Sequence, residues 1–293
     1  MRGYRYKKID AFTSGPSLGN PAACIYLDGN ESLTEDKMLA IAKQHKGFVS
    51  EMVYFQKNAQ SEGMLTYFSS ECEVDFCGHG TIACMYDLAK NDPDFRSMQE
   101  INVRTHKKGM ITVYNKIAEE DAVFITAPDA ADIGTKLSIE QIAQALELPA
   151  DSISGQYPVD IINAGLNTLI VPLANLEQET HVFPDEQKLK AFCLENGIDI
   201  ILIFTFEVVD KTNKAHTRVF APKFGYLEDP ATGSGNSAFG YYMHKNKLWD
   251  GGGIAIEQGG CDRIYNTVRL RMQDGKILFG GSATVRIEGT YFI

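Results

Sequence analysis

The sequence predicts an α+β fold built mainly from antiparallel sheets. Segments with strand-like patterns outnumber helical ones, and most of them occur as hairpin pairs joined by short turns. The few helical segments do not alternate regularly with the strands, as they would in a doubly wound parallel sheet. With 293 residues, 44% of them hydrophobic, the chain is long enough for about two domains.

In the first half, apolar alternation and helical spacing define eight elements. The apolar residues Leu33, Met38 and Ile41 have helical spacing, and Ser32 is a suitable N-cap before them. A second helix follows a glycine-containing turn. The predicted strands are Tyr4–Phe12, Ala22–Leu27, Glu51–Phe55, Met64–Phe68, Ile101–Val103 and Met110–Tyr114, and the helices are Ser32–Lys46 and Thr81–Lys90.

The second half continues in the same style, with short apolar strands and turn signals between them. The polar stretch Asn115–Asp121 is the best candidate for the boundary between the halves. The predicted strands are Ala122–Thr126, Thr168–Pro172, Asp199–Val209, His216–Phe220, Ile254–Glu257, Thr267–Met272, Lys276–Phe279 and Ala283–Gly289, and the helices are Ser138–Leu146, Glu186–Asn196 and Ser237–Lys247.

An internal echo links the halves. A strand ending at Phe68 leads to Cys77-Gly78-His79-Gly80 and a helix, and a strand ending at Phe220 leads to Thr232-Gly233-Ser234-Gly235 and another helix. The turns Gly19-Asn20 and Gly165-Leu166-Asn167 add a further match. The agreement is in order rather than identity, so it indicates either a duplication or a chance recurrence of common turns.

If the echo is real, the two glycine turns have a chemical use. The first N–H groups of a helix have no intrahelical partners, and the helix dipole adds partial positive charge there. Glycine also lets a ligand approach the backbone closely. Two such turns would bind one or two carboxylates, which predicts a small acidic metabolite as the ligand.

Composition excludes several other classes of partner. The formal net charge of −10 argues against nucleic-acid binding, because phosphates require an excess of lysine and arginine. No apolar run reaches the roughly 18 residues of a membrane span, so we expect no membrane partner. The basic segment Met1–Asp10 is not followed by the apolar core of a signal peptide, which predicts a cytoplasmic protein.

Three cysteines, Cys72, Cys77 and Cys84, cluster with His79 and raise the question of zinc. No C-x2-C pair is present and the spacings do not fit the common zinc patterns, so we predict no metal site and interpret the thiols as reduced and buried.

Familiar catalytic motifs do not fit either. Gly233–Ala238 reads G-x-G-x-x-A, but Asp229-Pro230 stands where a dinucleotide site requires an apolar strand. The lysine of a P-loop is missing after these glycines, and the G-x-S-x-G elbow of the hydrolases does not occur.

Three titratable residues are the best candidates for chemistry, and each has a plainer interpretation. His79 between two glycines could contact a bound anion, or it could be a solvated turn histidine. Asp229 before Pro230 could be a turn initiator only. Glu51, at the head of an apolar strand, could be an ordinary strand-end carboxylate.

These residues occur within segments that resemble the PhzF-like (phenazine-biosynthesis-like) proteins, relatives of diaminopimelate epimerase. The resemblance runs from Phe12 to Ile293, in family order. The matching segments are Gly19–Ala23, Ser50-Glu51, Cys77–Thr81, Arg218–Pro222, Glu228–Ser234 and the closing stretch Gly281–Gly289.

The resemblance implies the diaminopimelate-epimerase fold, with two pseudo-symmetric lobes, each a mainly antiparallel sheet around a central helix. It implies an N-terminal lobe of residues 1–117, joined by the C-terminal strand at about 284–293, and a C-terminal lobe of residues 118–283. It also implies a homodimer, no cofactor and an active site between the lobes.

By the same resemblance, Glu51 carries a proton along the substrate, as in the PhzF enzyme, where a dihydroaromatic amino acid gives a keto tautomer. His79, Asp229 and Ser234 match the family's other functional residues. We therefore expect a cofactor-independent isomerase of a small carboxylate-bearing, amino acid-like metabolite, with Glu51, His79 and Asp229 as catalytic residues. The expected substrate-binding residues are Asn20, Gly78, Gly80, Gly233, Ser234 and Gly235.

The related epimerases use two opposed cysteines, one in each glycine turn. Here the first turn has Cys77, but the matching position in the second is Thr232, whose hydroxyl is too weak an acid to replace a thiol. An epimerase or racemase using Cys77 therefore stays as the alternative to the glutamate mechanism. A non-catalytic protein that binds small acids is the third possibility.

Overall fold

The computed structural model describes residues 2–29, 31–57, 63–260 and 262–293. The strands in these ranges are β1 Gly3–Ala11, β2 Asn20–Leu27, β3 Glu51–Lys57, β4 Gly63–Ser69, β5 Glu73–Val74, β6 Glu100–Thr105, β7 Gly109–Lys116, β8 Ala122–Thr126, β9 Ala131–Asp132, β10 Asp160–Asn163, β11 Asn167–Pro172, β12 Ile200–Thr205, β13 Ala215–Phe220, β14 Glu228–Asp229, β15 Ile254–Gly259, β16 Tyr265–Gln273, β17 Lys276–Gly281 and β18 Ala283–Phe292. The helices are α1 Glu35–Gln44, α2 Gly78–Asn91, α3 Pro93–Arg96, α4 Ile117–Glu120, α5 Ile139–Ala145, α6 Leu176–Thr180, α7 Glu186–Glu195 and α8 Gly233–Lys245.

The chain forms two compact units. Unit 1 comprises Met1–Thr126 and Gly280–Ile293, and unit 2 comprises Ala127–Phe279. The C-terminal strand β18 belongs to unit 1, where it pairs with β1 along its whole length. The polar stretch 115–121, which suggested a boundary, lies inside unit 1 in this division because it forms the end of β7 and α4, and β8 then pairs back onto β7.

Unit 1 is a mixed sheet around one helix. Antiparallel pairs join β18 to β1, β1 to β2, β3 to β4, β4 to β5, β6 to β7 and β7 to β8, whereas β2–β3 and β4–β6 are parallel. Helix α2 packs against β1, β2, β3, β7, β8 and β18. Every residue from Gly80 to Ala89 is buried, so this helix is enclosed on all sides and forms the centre of the unit.

Unit 2 repeats this order of pairings. Antiparallel pairs join β10 to β11, β12 to β13, β13 to β14 and β15 to β16, and the pairs β11–β12 and β13–β15 are parallel. Helix α8 follows the two-residue strand β14, as α2 follows β5, and it packs against β10, β11, β12 and β16. The same connectivity in both units supports the duplication that the glycine turns suggested. Each parallel pair is linked through a helix, as crossover geometry requires.

Two of the predicted helix starts are wrong in the same way. Helices α2 and α8 begin at Gly78 and Gly233, not at Thr81 and Ser237. Cys77 and Thr232 are the N-caps, in extended conformation. Glycine has low helix propensity, but here the surrounding sheet overrides it. The glycines therefore lie in the first helical turns rather than before them.

Side-chain hydrogen bonds explain two further differences. Helix α1 starts at Glu35 because Thr34, not Ser32, caps it. The strand predicted to reach Val209 ends at Thr205, since the amides of Val209 and Asp210 donate to the buried carboxylate of Glu257 instead of to a neighbouring strand.

A buried polar cluster holds α2 to the sheet. Asp87 is fully buried, and its carboxylate accepts hydrogen bonds from Lys7 Nζ at 2.8 Å, Tyr26 Oη at 2.7 Å and Asn91 Nδ2 at 2.8 Å. Lys7 is itself almost fully buried and lies 3.4 Å from the exposed Glu288. Because a buried carboxylate must be compensated, Asp87 ties the central helix to β1 and β2.

No helix within the described ranges has both the length and the apolar character needed to cross a bilayer. Five cysteines, Cys24, Cys72, Cys77, Cys84 and Cys193, are free thiols, and Cys261 lies outside the described residues.

Candidate active site

Glu51 is the first residue of β3, where the chain returns to the sheet of unit 1 after helix α1. It lies opposite Ala22 of β2 on one side and Ser69 of β4 on the other. The four residues that follow, 52–55, are all buried and fix the strand, while 23% of the Glu51 side chain remains exposed. A largely enclosed carboxyl group is thus held on a rigid element with limited access to solvent.

The first turn of α2 brings a histidine to this carboxyl group. His79 Nε2 lies 3.3 Å from Glu51 Oε2. Cys77 Sγ lies 3.6 Å from His79 Nδ1 and accepts a hydrogen bond from the Gly80 amide at 3.3 Å, so the thiol caps the helix. Glu51 and His79, distant in sequence, are therefore neighbours.

Gly80 makes this arrangement possible. A Cβ atom at this position would lie 2.8 Å from Val53 Cγ2 and 2.9 Å from Cys77 Sγ. Both contacts are too short for carbon, and both neighbours are buried. Glycine therefore lets the start of α2 approach β3 closely enough for His79 to reach Glu51.

Burial changes the acidity of Glu51. Removal of the carboxylate from water raises its pKa from 4.5 to about 7, and a hydrogen bond with Ser50 opposes the shift only in part. A carboxyl group with a pKa close to neutral can take up a proton and return it with similar ease. This is the property that a single-residue proton shuttle requires.

The raised pKa predicts how stability depends on pH. Folded Glu51 holds its proton up to about pH 7, whereas in the unfolded chain it loses it near 4.5. Its contribution to the free energy of unfolding is complete below pH 4.5 and disappears as the pH rises through 7. Glu51→Gln does not titrate, so we expect it to gain up to about 3 kcal/mol relative to the parent between pH 4.5 and 8.

Urea denaturation of the parent and of Glu51→Gln at pH 4.5 and at pH 8 measures this difference in the free energy of unfolding. Groups that titrate in the same way in both proteins cancel in the comparison. A constant difference across the range would show that the carboxyl group of Glu51 has an ordinary pKa in the folded state.

The other predicted binding residues of unit 1 lie on the same elements. Asn20 is the first residue of β2, the strand that pairs with β3, and it is buried. Gly78 and Gly80 lie in the first turn of α2, on either side of His79. The structure thus groups Glu51 and His79 and places Asn20 on the adjacent strand.

In unit 2, the predicted residues form a second turn. Asp229 ends β14, Thr232 caps α8, and Gly233, Ser234 and Gly235 form its first turn. The Thr232 hydroxyl donates to Asp229 Oδ2 and makes no capping bond to the helix. The first N–H groups of α8 therefore receive no side-chain cap from Thr232, and such groups favour an anion.

The first turns of α2 and α8 have the same backbone arrangement, with an extended N-cap residue before Gly-X-Gly, but their side chains differ. Cys77 and His79 occupy the places of Thr232 and Ser234. The strand end of unit 2 that corresponds to Glu51 carries the buried isoleucines Ile200 and Ile201. Unit 2 thus has neither the thiol nor the carboxyl group at the places equivalent to those in unit 1.

Ligand atoms of Glu51, Cys77 and His79 lie within 4.8 Å of one another, and these side-chain types also bind divalent cations. Glu35, Glu73 and His106 form a second such group, in which Glu35 and His106 are exposed. Of the cysteines considered with His79, Cys72 is exposed and Cys84 is buried within α2. In the first group, Cys77 caps α2 and Glu51 faces His79.

Sequence reasoning missed two buried polar groups of unit 2. Gln258 of β15 makes three hydrogen bonds with the turn before α8 and a fourth with Asn236 in the first turn of that helix. His216 Nδ1 lies 2.9 Å from Glu179 Oε2, and both side chains are fully buried. Neither belongs to a motif, and the only signal for Gln258 was two polar residues, Glu257 and Gln258, in succession within a short apolar strand.

Comparison with known proteins identifies the family. A family model described as phenazine biosynthesis-like protein (PhzC-PhzF) matches residues 9–290. The chain belongs to this family. This phenazine biosynthesis-like protein is 31% identical to the uncharacterized isomerase YfhB of Bacillus subtilis. The alignment covers 99% of this chain and 96% of the relative.

Solved structures show the same fold. A PhzF-family phenazine biosynthesis protein from Bacillus anthracis superposes with a TM-score of 0.86 at 24% identity, covering all of both chains. A probable proline racemase from Agrobacterium radiobacter, solved with bound carbonate, has a TM-score of 0.61 at 11% identity over 99% of this chain and 92% of its own. The predicted α+β, diaminopimelate-epimerase-like fold is confirmed, and this phenazine biosynthesis-like protein is an isomerase.

Proposed function

We propose that the protein is a cofactor-independent isomerase that moves a proton within a small, carboxylate-bearing, amino acid-like metabolite, with Glu51 as the shuttle. One observation carries the proposal. Glu51 combines a rigid, largely enclosed position, a pKa of about 7 and a histidine nitrogen at 3.3 Å. The raised pKa in particular distinguishes Glu51 from an ordinary strand-end carboxylate.

The proposed reaction has two proton transfers. The Glu51 carboxylate removes a proton from one carbon, so that the C–H bond breaks, an O–H bond forms on Glu51, and the electron pair enters the conjugated system of the substrate. Glu51 then returns the same proton to another carbon of that system. No electrons are gained or lost, which is why no redox cofactor is required by this chemistry.

The developing negative charge needs preorganised donors. His79 can donate a hydrogen bond to it, and the N–H groups at the start of α2 add positive potential. General acid–base catalysis supplies roughly 10²–10⁴-fold of rate, so positioning must supply the remainder.

We further propose that Asp229 orients the amino or hydroxyl group of the substrate. The support is the family resemblance and the chemistry of the turns. The proposed binding residues are Asn20, Gly78, Gly80, Gly233, Ser234 and Gly235.

The experiment is proton exchange in heavy water. The panel comprises the standard amino acids in both configurations, trans-4-hydroxy-L-proline, methylitaconate and a dihydroaromatic amino acid, because relatives of the same fold are described by several of these names. NMR detects loss of a carbon-bound proton, and thermal shift detects binding without exchange. Exchange supports the isomerase, whereas stabilisation without any exchange would indicate a binding protein.

A second function, amino-acid epimerisation by Cys77, has one observation in its favour. Its sulfur lies 3.6 Å from His79 Nδ1 at a helix N-terminus, a setting that can favour a thiolate. The corresponding cap in unit 2 is Thr232, so the second thiol of a two-base mechanism is missing at that position. We therefore rank it below the glutamate mechanism.

Cys77→Ser separates the two functions. We expect it to retain exchange within about threefold of the parent, because a serine hydroxyl can still accept from the Gly80 amide and cap α2. Alkylation of the parent with iodoacetamide is a poorer test, since the added group could block the site. A loss of proton exchange of roughly 10²–10⁴-fold would favour the thiol mechanism.

We propose that the protein acts in the cytoplasm as a homodimer. The free thiols of the described residues fit a reducing compartment, and the dimer is implied by the family resemblance. Light scattering should then give a mass twice that of the 32.4 kDa chain. A mass of one chain at micromolar concentration would contradict the dimer.

A further inference from the structure

A buried amide in unit 2 binds the turn that carries Asp229. Gln258 of β15 is fully buried. Its Nε2 donates to the carbonyl of Asp229 at 2.7 Å and to the hydroxyl of Thr232 at 3.1 Å. Its Oε1 accepts from the Thr232 amide at 2.9 Å and from Asn236 Nδ2 at 2.7 Å. One side chain thus joins both ends of the turn to the first turn of α8.

These four bonds use the whole capacity of the amide, two donors and two acceptor positions. The orientation of the amide is also fixed, because the Thr232 amide can only donate and the Asp229 carbonyl can only accept. A fully satisfied buried amide is costly to disturb in any direction. The backbone of Asp229 and that of Thr232 are therefore held at a set separation.

The rest of the turn is held in the same manner. Asn266 of β16 donates to the carbonyl of Pro230 at 2.6 Å, and the Arg218 guanidinium forms a two-bond pair with Glu228. Because Gln258 also donates to the Thr232 hydroxyl, that hydroxyl donates onward to Asp229 Oδ2. The bonds therefore run from Gln258 through Thr232 to the carboxylate of Asp229.

Unit 1 provides an internal control for what the fold itself requires. Gln258 lies opposite Thr217, and the equivalent position, opposite Leu65 of β4, is Thr105. The Thr105 hydroxyl donates to the carbonyl of Gly109 and accepts from the Lys108 amide, both within its own hairpin. Unit 1 thus forms the same strand, turn and helix with a threonine at the position of Gln258, and the hydroxyl bonds of this threonine stay within its own hairpin. The fold does not demand an amide at this position.

From this geometry we infer that Gln258 is a positioning residue, which sets the backbone of the Asp229–Thr232 turn and, through Thr232, the orientation of the Asp229 carboxylate for binding the substrate. The inference rests on the proposed function, in which Asp229 contacts the amino or hydroxyl group of an amino acid-like acid. Gln258 itself does not touch the substrate.

The test compares Gln258→Glu, Gln258→Met and the parent. Glutamate has the same shape and keeps an acceptor but loses at least one of the two donors, and methionine loses all four bonds at similar length. The probe is the panel compound that gives the parent its largest thermal shift. We expect Gln258→Glu to raise the KM for proton exchange, and the dissociation constant from thermal shift, at least tenfold.

Thr217→Val is the matched control. Thr217 is fully buried opposite Gln258, and its hydroxyl donates to the carbonyl of Glu257 at 2.9 Å, away from the turn. The control should lower the melting temperature yet leave KM unchanged, since partial unfolding reduces the active fraction without changing the affinity of the folded one. If Gln258→Met does not fold, Gln258→Glu decides the outcome alone.

The outcomes test the positioning role of Gln258 separately from the proposed isomerase function. A KM and dissociation constant of Gln258→Glu within threefold of those of Thr217→Val would overturn the positioning role. If the parent binds the probe but does not exchange its protons, the proposed isomerase fails, and the dissociation constants still decide the role of Gln258.

Discussion

Replacement of Glu51 by glutamine is expected to lower the rate of solvent proton exchange into the substrate by roughly 10²–10⁴-fold. The amide keeps the size of the side chain but cannot accept a proton at neutral pH. Since the change also removes a titrating buried carboxyl group, the variant should be at least as stable as the parent at pH 8. A loss of activity without a loss of stability is the expected signature.

Glu73→Gln is the control for this variant. Glu73 belongs to the same unit, its carboxylate lies 2.7 Å from His106 Nδ1, and it is even more enclosed than Glu51, with 11% of the side chain exposed. It is thus a second glutamate–histidine pair, outside the proposed site, and its replacement should leave exchange unaffected. NMR in heavy water measures both variants, and exchange by Glu51→Gln at the parental rate would remove Glu51 from the mechanism.

Asp87→Ala should have the largest effect on stability, a loss of about 3–5 kcal/mol in the free energy of unfolding. The change leaves the Lys7 ammonium group buried without its main partner and removes the acceptor for Tyr26 and Asn91. Glu288, exposed and 3.4 Å from Lys7, can compensate only in part. Denaturant unfolding followed by circular dichroism gives the difference.

The pair Lys46–Glu71 provides the comparison, because its N–O distance is also 2.8 Å but both side chains are about 70% exposed. Glu71→Ala should cost far less than Asp87→Ala, since solvent screens an exposed pair. Equal losses of unfolding free energy in Asp87→Ala and Glu71→Ala would mean that burial does not determine how strongly these ion pairs stabilise the fold. The Asp87 variant also distinguishes a structural loss from a catalytic one, as its carboxyl group lies outside the proposed site.

The sequence was sufficient for most elements and for the class of fold. Strands such as β3 and β4 follow from apolar runs between turn signals, and the internal echo of glycine turns corresponds to a repeat of connectivity. The starts of α2 and α8 could not be read locally. Glycine disfavours a helix on its own, and only burial against the sheet, absent from any local pattern, makes Gly78 and Gly233 helical.

The residues of the candidate site differed in how far the sequence alone could predict them. His79 and Asp229 stand in or beside short glycine-rich motifs, which made them candidates for function from the sequence alone. Glu51 has no motif of comparable strength, and its approach to His79 depends on the pairing of β3 with β2 and on close packing at Gly80. Gln258 could not be predicted, because its four bonds join β15 to a turn and a helix start that lie 22 to 29 residues earlier in the chain.

The position of β18 has a consequence for biosynthesis. Unit 2 is continuous in the chain, so all of its residues are synthesised before the last strand is made. Strand β1 is made first, yet one of its two neighbours, β18, is made last. During translation this edge of β1 therefore stays unpaired until β18 has been made, after the whole of unit 2.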